Sequence, residues 1–131
     1  FQSCDSLASI SIPDGVTSIG SSAFQNCNSL ASISIPDGVT SIGTYAFHYC
    51  YSLASISIPD GVTSIGANAF ASCYGLGEIH LKPMTPPTVS NSNAWSKIPS
   101  DCKIYVPSGS LSAYTGASNY PSSSTYTYIE E

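Results

Sequence analysis

The chain of 131 residues contains three lysines, no arginine and eight acidic residues, so charged residues make up only 8% of it and the net charge is −5. Without a basic cluster it has nothing to neutralise backbone phosphates, which argues against nucleic acid as a partner. The same lack argues against anionic membrane surfaces. No apolar run approaches the roughly 20 residues that cross a bilayer, so no membrane insertion is expected. Enzyme motifs are missing as well. There is no G-x-S-x-G, no H-E-x-x-H and no phosphate-cradling glycine loop, and His48 and His80 are the only histidines. Catalysis, a metal and a cofactor are therefore not expected. The cysteines form no C-x-x-C pair.

A repeat is what the sequence does have. Phe1, Phe24, Phe47 and Phe70 fall 23 residues apart, and Ser6–Gly20 (SLASISIPDGVTSIG) recurs unchanged at Ser29–Gly43 and Ser52–Gly66. Each unit carries a Cys three places after the Phe (Cys4, Cys27, Cys50, Cys73) and a Leu six places after it (Leu7, Leu30, Leu53, Leu76). Within a unit, Leu7-x-x-Ile10-x-Ile12 alternates apolar and polar as a strand with one buried face does. Pro13-Asp14-Gly15 supplies turn chemistry. Val16 and Ile19 begin a second short extended stretch that closes at Gly20, and Ala23-Phe24-x-x-Cys27 reads as a helical or 3₁₀ turn. A single unit cannot bury its own apolar residues, whereas stacked units cover one another's edges. The expected fold is thus a solenoid of short parallel strands and turns.

Asn93-Ala94-Trp95 echoes Asn68-Ala69-Phe70 with two residues inserted, which makes Trp95 the start of a fifth, degenerate coil. Counting from Trp95 puts the last strand of the sheet at Lys103–Val106. Pro83–Pro87 is expected to replace the second extended stretch with a stiffer loop. Ser108–Tyr114 reads as a capping helical turn, with Leu111 and Tyr114 folding over the open end. The expected division is a solenoid over 1–107 (repeats 1–23, 24–46, 47–69, 70–94 and degenerate 95–107) and a cap over 108–131. The chain opens at Phe1 inside the pattern, so a targeting signal is expected upstream. The apolar edge at this end is expected to favour self-association.

The pattern F-x-x-C-x-x-L-x-x-I-x-I-P-x-x-V-x-x-I-G-x-x-A resembles the BspA-like, or Treponema pallidum-type, leucine-rich repeat, and Cys102–Pro107 (CKIYVP) resembles the C-terminal strand of such proteins from gut and oral bacteria. The resemblance covers roughly Phe1 to Tyr114. It departs from the general leucine-rich pattern in having Gly15, Gly38 and Gly61 where Asn would sit. It implies a repeat solenoid of leucine-rich type, on the cell surface or secreted, adhering to host matrix, host cells or other bacteria; the expected partner is a protein or glycan ligand on host or neighbouring cells. It implies no catalytic residues.

The repeating cysteines fall on a core-facing position and read as a buried free-thiol ladder. Asp14, Asp37 and Asp60 would stack along one edge, where calcium is conceivable; turn propensity is the preferred explanation. The exposed strand positions are serine in three coils (Ser9 and Ser11, Ser32 and Ser34, Ser55 and Ser57), then Glu78 and His80, then Lys103 and Tyr105. In register, Glu78 meets Lys103 and His80 meets Tyr105. The positions one, two and four after each Phe vary while the rest stays fixed, and they bring in His48, Tyr49, Tyr51 and Tyr74. The strand set reads first as cross-strand pairing and the rim set equally as drift at exposed sites; if the chain binds a partner, the contact residues are expected among His48, Tyr49, Tyr51, Tyr74, Glu78, His80, Lys103 and Tyr105. A structural stalk and a carbohydrate-binding module using Tyr49, Tyr51 and Tyr74 are the competing readings.

Overall fold

A computed structural model describes residues 1–131. Each of the first four coils contributes one strand to a broad face and one to a narrow sheet. The first pair is β1 (Ser9–Ser11) and β2 (Ser18–Ile19), followed by β3 (Ser32–Ser34) and β4 (Ser41–Ile42), then β5 (Ser55–Ile58) and β6 (Ser64–Ile65). The fourth coil gives β7 (Glu78–Leu81) and β8 (Thr88–Val89), and the fifth gives β9 (Lys103–Val106). A short helix, α1 (Leu111–Thr115), and a final strand, β10 (Thr127–Glu130), complete the chain. All pairing is parallel, in the orders β1-β3, β5-β7-β9-β10 and β2-β4-β6-β8. Register follows the repeat: Ser9 lies beside Ser32, and Ile42 beside Ile65.

Between the sheets lies a core of stacked columns. The Phe rings run as a ladder, with centroids 5.7 Å apart for Phe1–Phe24, 5.4 Å for Phe24–Phe47 and 5.2 Å for Phe47–Phe70. Trp95 continues it at 5.0 Å from Phe70. Cys27, Cys50 and Cys73 are fully buried, and all five cysteines are free thiols. Each thiol of the column donates to a Phe carbonyl of the previous coil: Cys27 to Phe1 at 3.0 Å, Cys50 to Phe24 and Cys73 to Phe47 at 3.1 Å. Coil spacing is tight enough that small residues are required in places. A Cβ on Gly43 or Gly66 would lie 2.6 or 2.4 Å from backbone of the preceding coil.

Four expectations need correction. The run around Phe24 is not helical. Its N–H groups alternate: Ala23, Gln25 and Cys27 close turns onto Gly20, Ser22 and Phe24, while Ser22, Phe24 and Asn26 donate to Thr44, Ala46 and His48 of the next coil. Donors committed sideways cannot build a continuous helix, and 3₁₀ geometry occurs only at Ser92–Trp95, where Asn91 caps the turn. Second, Pro83–Pro87 does not displace the narrow-sheet strand, because Thr88 and Val89 still pair with Ser64 and Ile65. One extra residue between Leu81 and Val89, relative to Ile58 and Ile65, bulges outward instead. Third, Lys103–Val106 is not the last strand, since β10 pairs alongside it from Thr127↔Lys103 to Glu130↔Val106. Fourth, Leu111 does not close the end and is 38% exposed. The start of α1 is drawn to the sheet edge, where the Glu130 carboxylate accepts from the N–H groups of Gly109 and Leu111.

Tyr114 does close the end, fully buried, with Tyr120 packed edge-on at 5.4 Å. Their hydroxyls donate to the carbonyls of Pro83 at 2.6 Å and Pro87 at 2.8 Å, so both clamp the proline loop. Tyr126 and Tyr128 donate to Ile98 and Pro121. Burial pushes the Tyr128 phenol up to about 12.

Candidate functional site

Two groups of distinctive side chains break an otherwise serine-covered surface. The first lies on the turn run that leads into the broad sheet. Backbone geometry places residues two before and two after each Phe in the left-handed region: Ser22, Asn26, Tyr45, Tyr49, Asn68 and Ser72 all have φ between 56° and 62°. Among non-glycine residues, Asn and Asp adopt that conformation most readily. In the third coil both positions are tyrosine, with φ of 59° at Tyr45 and 62° at Tyr49. Both are held on a turn that the coils share, with Ser3 and Lys97 in the same conformation at the matching position of the first and fifth coils.

Those two tyrosines join an unbroken aromatic group. Tyr45 meets His48 edge-on at 5.1 Å, His48 meets Tyr49 at 3.9 Å, and Tyr49 meets Tyr51 at 5.7 Å. Tyr51 stacks on Tyr74 of the next coil at 5.3 Å. Tyr45, Tyr51 and Tyr74 are 37%, 42% and 50% exposed, against complete burial of the Phe47 ring behind them. Gly75 permits the Tyr51–Tyr74 stack, because a Cβ there would sit 2.6 Å from the Tyr51 carbonyl oxygen. Sequence comparison of the positions after each Phe finds His48, Tyr49, Tyr51 and Tyr74 but passes over Tyr45. The signal was present: the position two before Phe also varies, as Ser22, Tyr45 and Asn68.

Planar polar groups lead into this cluster from the first two coils. The Gln2 amide donates to Gln25 at 3.1 Å, and the Gln25 amide nitrogen reaches His48 Nδ1 at 3.4 Å. An amide nitrogen only donates, so Nδ1 accepts and His48 carries its proton on Nε2. Burial, with a contribution from the Lys97 charge, lowers the His48 pKa and keeps the ring neutral. In the parallel column, Asn28 donates to the Asp5 carboxylate at 3.3 Å, one coil before Tyr51.

The second group lies on the broad sheet. Glu78 is in register with Lys103 and His80 with Tyr105. The His80 and Tyr105 rings stack at 4.5 Å. The Glu78 carboxylate turns to His80 on its own strand, 3.0 Å from Nε2, rather than to Lys103, and Glu131 approaches Nδ1 at 3.1 Å. Both ion pairs of the molecule therefore belong to His80. Burial alone would lower its pKa; hydrogen bonds and charge from Glu78 and Glu131 outweigh this and raise it. With both ring nitrogens engaged, this group serves to fasten the end of the chain to β7. The two groups occupy different stretches of the coil and do not merge.

Asp14, Asp37 and Asp60 are exposed in successive turns, and no three acidic, histidine or cysteine side chains converge as ion ligands would. No helix is long and apolar enough to cross a membrane.

Parallel coils of this period, with an LxxIxI strand and a Phe–Cys core column, define a leucine-rich-repeat solenoid. The chain belongs to the BspA type leucine rich repeat region family, whose profile matches in six copies over residues 1–108. Repeat proteins of this class are generally non-enzymatic binding modules. Among solved structures, the T. pallidum leucine rich repeat protein TpLRR is similar, with 35% identity and a TM-score of 0.71, over 80% of this chain and 48% of that one. The chain therefore spans about half the length of that relative. The pneumococcal vaccine antigen PcpA shares the fold at 21% identity and a TM-score of 0.56, over 94% of this chain and 35% of that one. No curated protein sequence matches the chain.

Proposed function

We propose that this chain is a non-catalytic adhesion module of a bacterial surface protein and that it grips its partner through the aromatic rim of the third and fourth coils. One observation carries the reading. Fifteen residues of each of the first three units, Ser6–Gly20 and its copies, are identical, while variation gathers on the turn run and converges there on one exposed aromatic group. Tyrosine supplies large contact area at low entropic cost, which suits an anchor. Strand serines offer short hydrated hydroxyls that gain little when a partner displaces their water. The family resemblance supports a location at the cell surface. In the Glu78–His80–Lys103–Tyr105 group, Glu78 and His80 are already engaged with each other and with Glu131, which gives that group a secondary part.

The test is binding of the chain to matrix proteins, glycans and bacterial cells, with two sets of substitutions compared. Replacing Tyr45, Tyr49, Tyr51 and Tyr74 by Ala is expected to weaken binding at least tenfold, about 1.4 kcal/mol. Replacing Ser32, Ser34, Ser55 and Ser57 by Ala is expected to change it far less. Loss of binding only with the serine set would move recognition to the broad sheet. A chain that binds nothing saturably is a spacer, the role that three near-identical serine-faced coils would equally suit.

A further inference from the structure

Strand β10 lies beyond the matched repeats and pairs on one side only, with β9. We infer that His80 is a proton-controlled latch for this strand: with a proton on both ring nitrogens it ties β10 down across β9, and loss of one proton loosens it. The latch is separate from the aromatic rim and stands or falls without it.

The geometry of the ring makes the case. Its Nε2 lies 3.0 Å from a Glu78 carboxylate oxygen and its Nδ1 lies 3.1 Å from a Glu131 carboxylate oxygen. An ionised carboxylate only accepts, and a neutral imidazole has a single N–H, so both contacts are hydrogen bonds only in the imidazolium. Removing one proton leaves a nitrogen lone pair aimed at a carboxylate. Stacking on Tyr105 of β9, at 4.5 Å and 6° from parallel, holds the ring in this orientation. The neutral ring therefore keeps one carboxylate, through a bond that has lost its charge assistance.

The two carboxylates differ in what they hold. Glu78 shares β7 with the histidine, so its contact is internal to one strand. Glu131 reaches across β9 from the end of β10 and is the one side chain of residues 116–131 bonded to β7. Its backbone closes the last strand as well: its N–H donates to Val106 at 2.9 Å, and its carbonyl accepts from Ser108 at 3.0 Å. The Glu130 carboxylate is occupied by the N–H groups of Gly109 and Leu111 and does not compete for the ring.

The other groups around His80 are placed to take a freed carboxylate. Lys103 of β9 is in register with Glu78, and Lys82 borders, with Glu131, Leu81 and Pro107, a depression of about 220 Å³. Neither lysine makes an ion pair while His80 holds both acids. Ser57 of β5, in register on the other side, is uncharged. Burial lowers the His80 pKa, and the bonds and charge from the two glutamates outweigh it. The latch is therefore closed in mild acid and loosens as pH rises through a native value above about 6.5. Loosening bares the Val106 carbonyl and the edge of β9, which is then open to pairing by another strand.

The test is amide hydrogen exchange of the whole chain, read by NMR across the His80 ring titration and expressed as protection factors to remove the intrinsic pH dependence. The Ser108 and Glu131 amides should exchange through an opening that dilute urea does not promote, whereas amides of β5 should exchange only through urea-sensitive unfolding. Protection at Ser108 and Glu131 should fall about two- to fivefold as the ring loses its proton, the range expected of partly exposed ion pairs. His80→Gln should hold protection near the wild-type alkaline level at every pH. Glu131→Gln separates the latch from His80 titration itself. The ring still titrates against Glu78, but a neutral amide pairs with either form, so protection at Ser108 should no longer follow pH. Flat protection across the wild-type titration overturns the latch, as does pH dependence that survives in Glu131→Gln. Exchange of Ser108 and Glu131 only by the urea-sensitive route of β5 overturns it too, because β10 then has no opening of its own.

Discussion

Cys50 and Cys73 are fully buried, each with the thiol donating to the main-chain carbonyl of a Phe in the previous coil. Burial raises both pKa values, that of Cys50 to about 12, with the neighbouring cysteine adding to the rise. Thiolate is the reactive form, so a thiol reagent should label Cys4 rapidly and leave Cys27, Cys50, Cys73 and Cys102 largely unmodified until the protein unfolds. Rapid native-state labelling of four or more thiols would contradict the buried ladder. The two histidines should titrate on opposite sides of the ordinary value near 6.5. His80 is raised, so the native state holds its proton more tightly than the unfolded chain. Its contribution to stability is complete below about 6.5 and is lost as pH rises through the higher native value. His48 is lowered, so its effect has the reverse sign: stability falls as pH drops from about 6.5 through the lower native value. Ring-proton titration should separate the two, and His80→Gln should remove the loss on the alkaline side. A common midpoint for both rings would refute this.

The strands were the most legible elements, because period-two alternation inside an exact 23-residue repeat leaves only one register that buries Ile10, Ile33 and Ile56 together. The turn run was harder. Ala23-Phe24-x-x-Cys27 has the spacing of a helical turn, and nothing local reveals that every second N–H is donated to the next coil. Thr88–Val89 was hidden by the prolines before it, since chain stiffness there was read as loss of the strand. Strand β10 is obscured for another reason: its Tyr128 and Ile129 belong to a segment without repeat partners, so no local pattern announces its pairing with β9. The tyrosine clamps can be tested. Tyr114→Phe keeps the ring and removes only the donor to Pro83, leaving a buried carbonyl unpaired, so it should cost about 1–2 kcal/mol. Tyr120→Phe should cost a similar or smaller amount. Urea denaturation should give these values, and neither variant should alter the stacking of Phe24 on Phe47. Gly66→Ala should be worse than either, because its Cβ would be forced to 2.4 Å from the Thr44 nitrogen and two coils would have to separate. A neutral Gly66→Ala would show that coil spacing is looser than the glycine column implies.

Across residues 1–131, the two faces that bound the stack of coils differ in kind. A solenoid is held by contacts between adjacent coils, so each end must cover its last apolar layer or present it. At the C-terminal end the layer is covered: Tyr114 is buried, Tyr120 packs at 6.1 Å from Trp95, and β10 occupies the sheet edge beside β9. At the other end Phe1 is 67% exposed, and a depression of about 440 Å³ opens between the two sheets, walled by Ile10, Ile12, Val16, Ile19 and Phe24. Strand β1 also leaves one side of its ladder unpaired, the usual invitation to edge contacts. Residues 1–131 expressed by themselves should therefore associate through that face, which is also the face on which a further coil of the same kind would stack. Head-to-tail growth requires an open face at both ends, and the tyrosine cap removes one of them. Pairing must then be head-to-head, an isologous contact that closes at two copies and cannot propagate into fibres. Sedimentation equilibrium should show a monomer–dimer equilibrium with no larger species, and Ile10→Asp should shift it to monomer while leaving the C-terminal coils folded. A strict monomer at millimolar concentration with Phe1–Ile12 well ordered would show that this face tolerates water, and an open-ended series of oligomers would show that the cap does not block stacking.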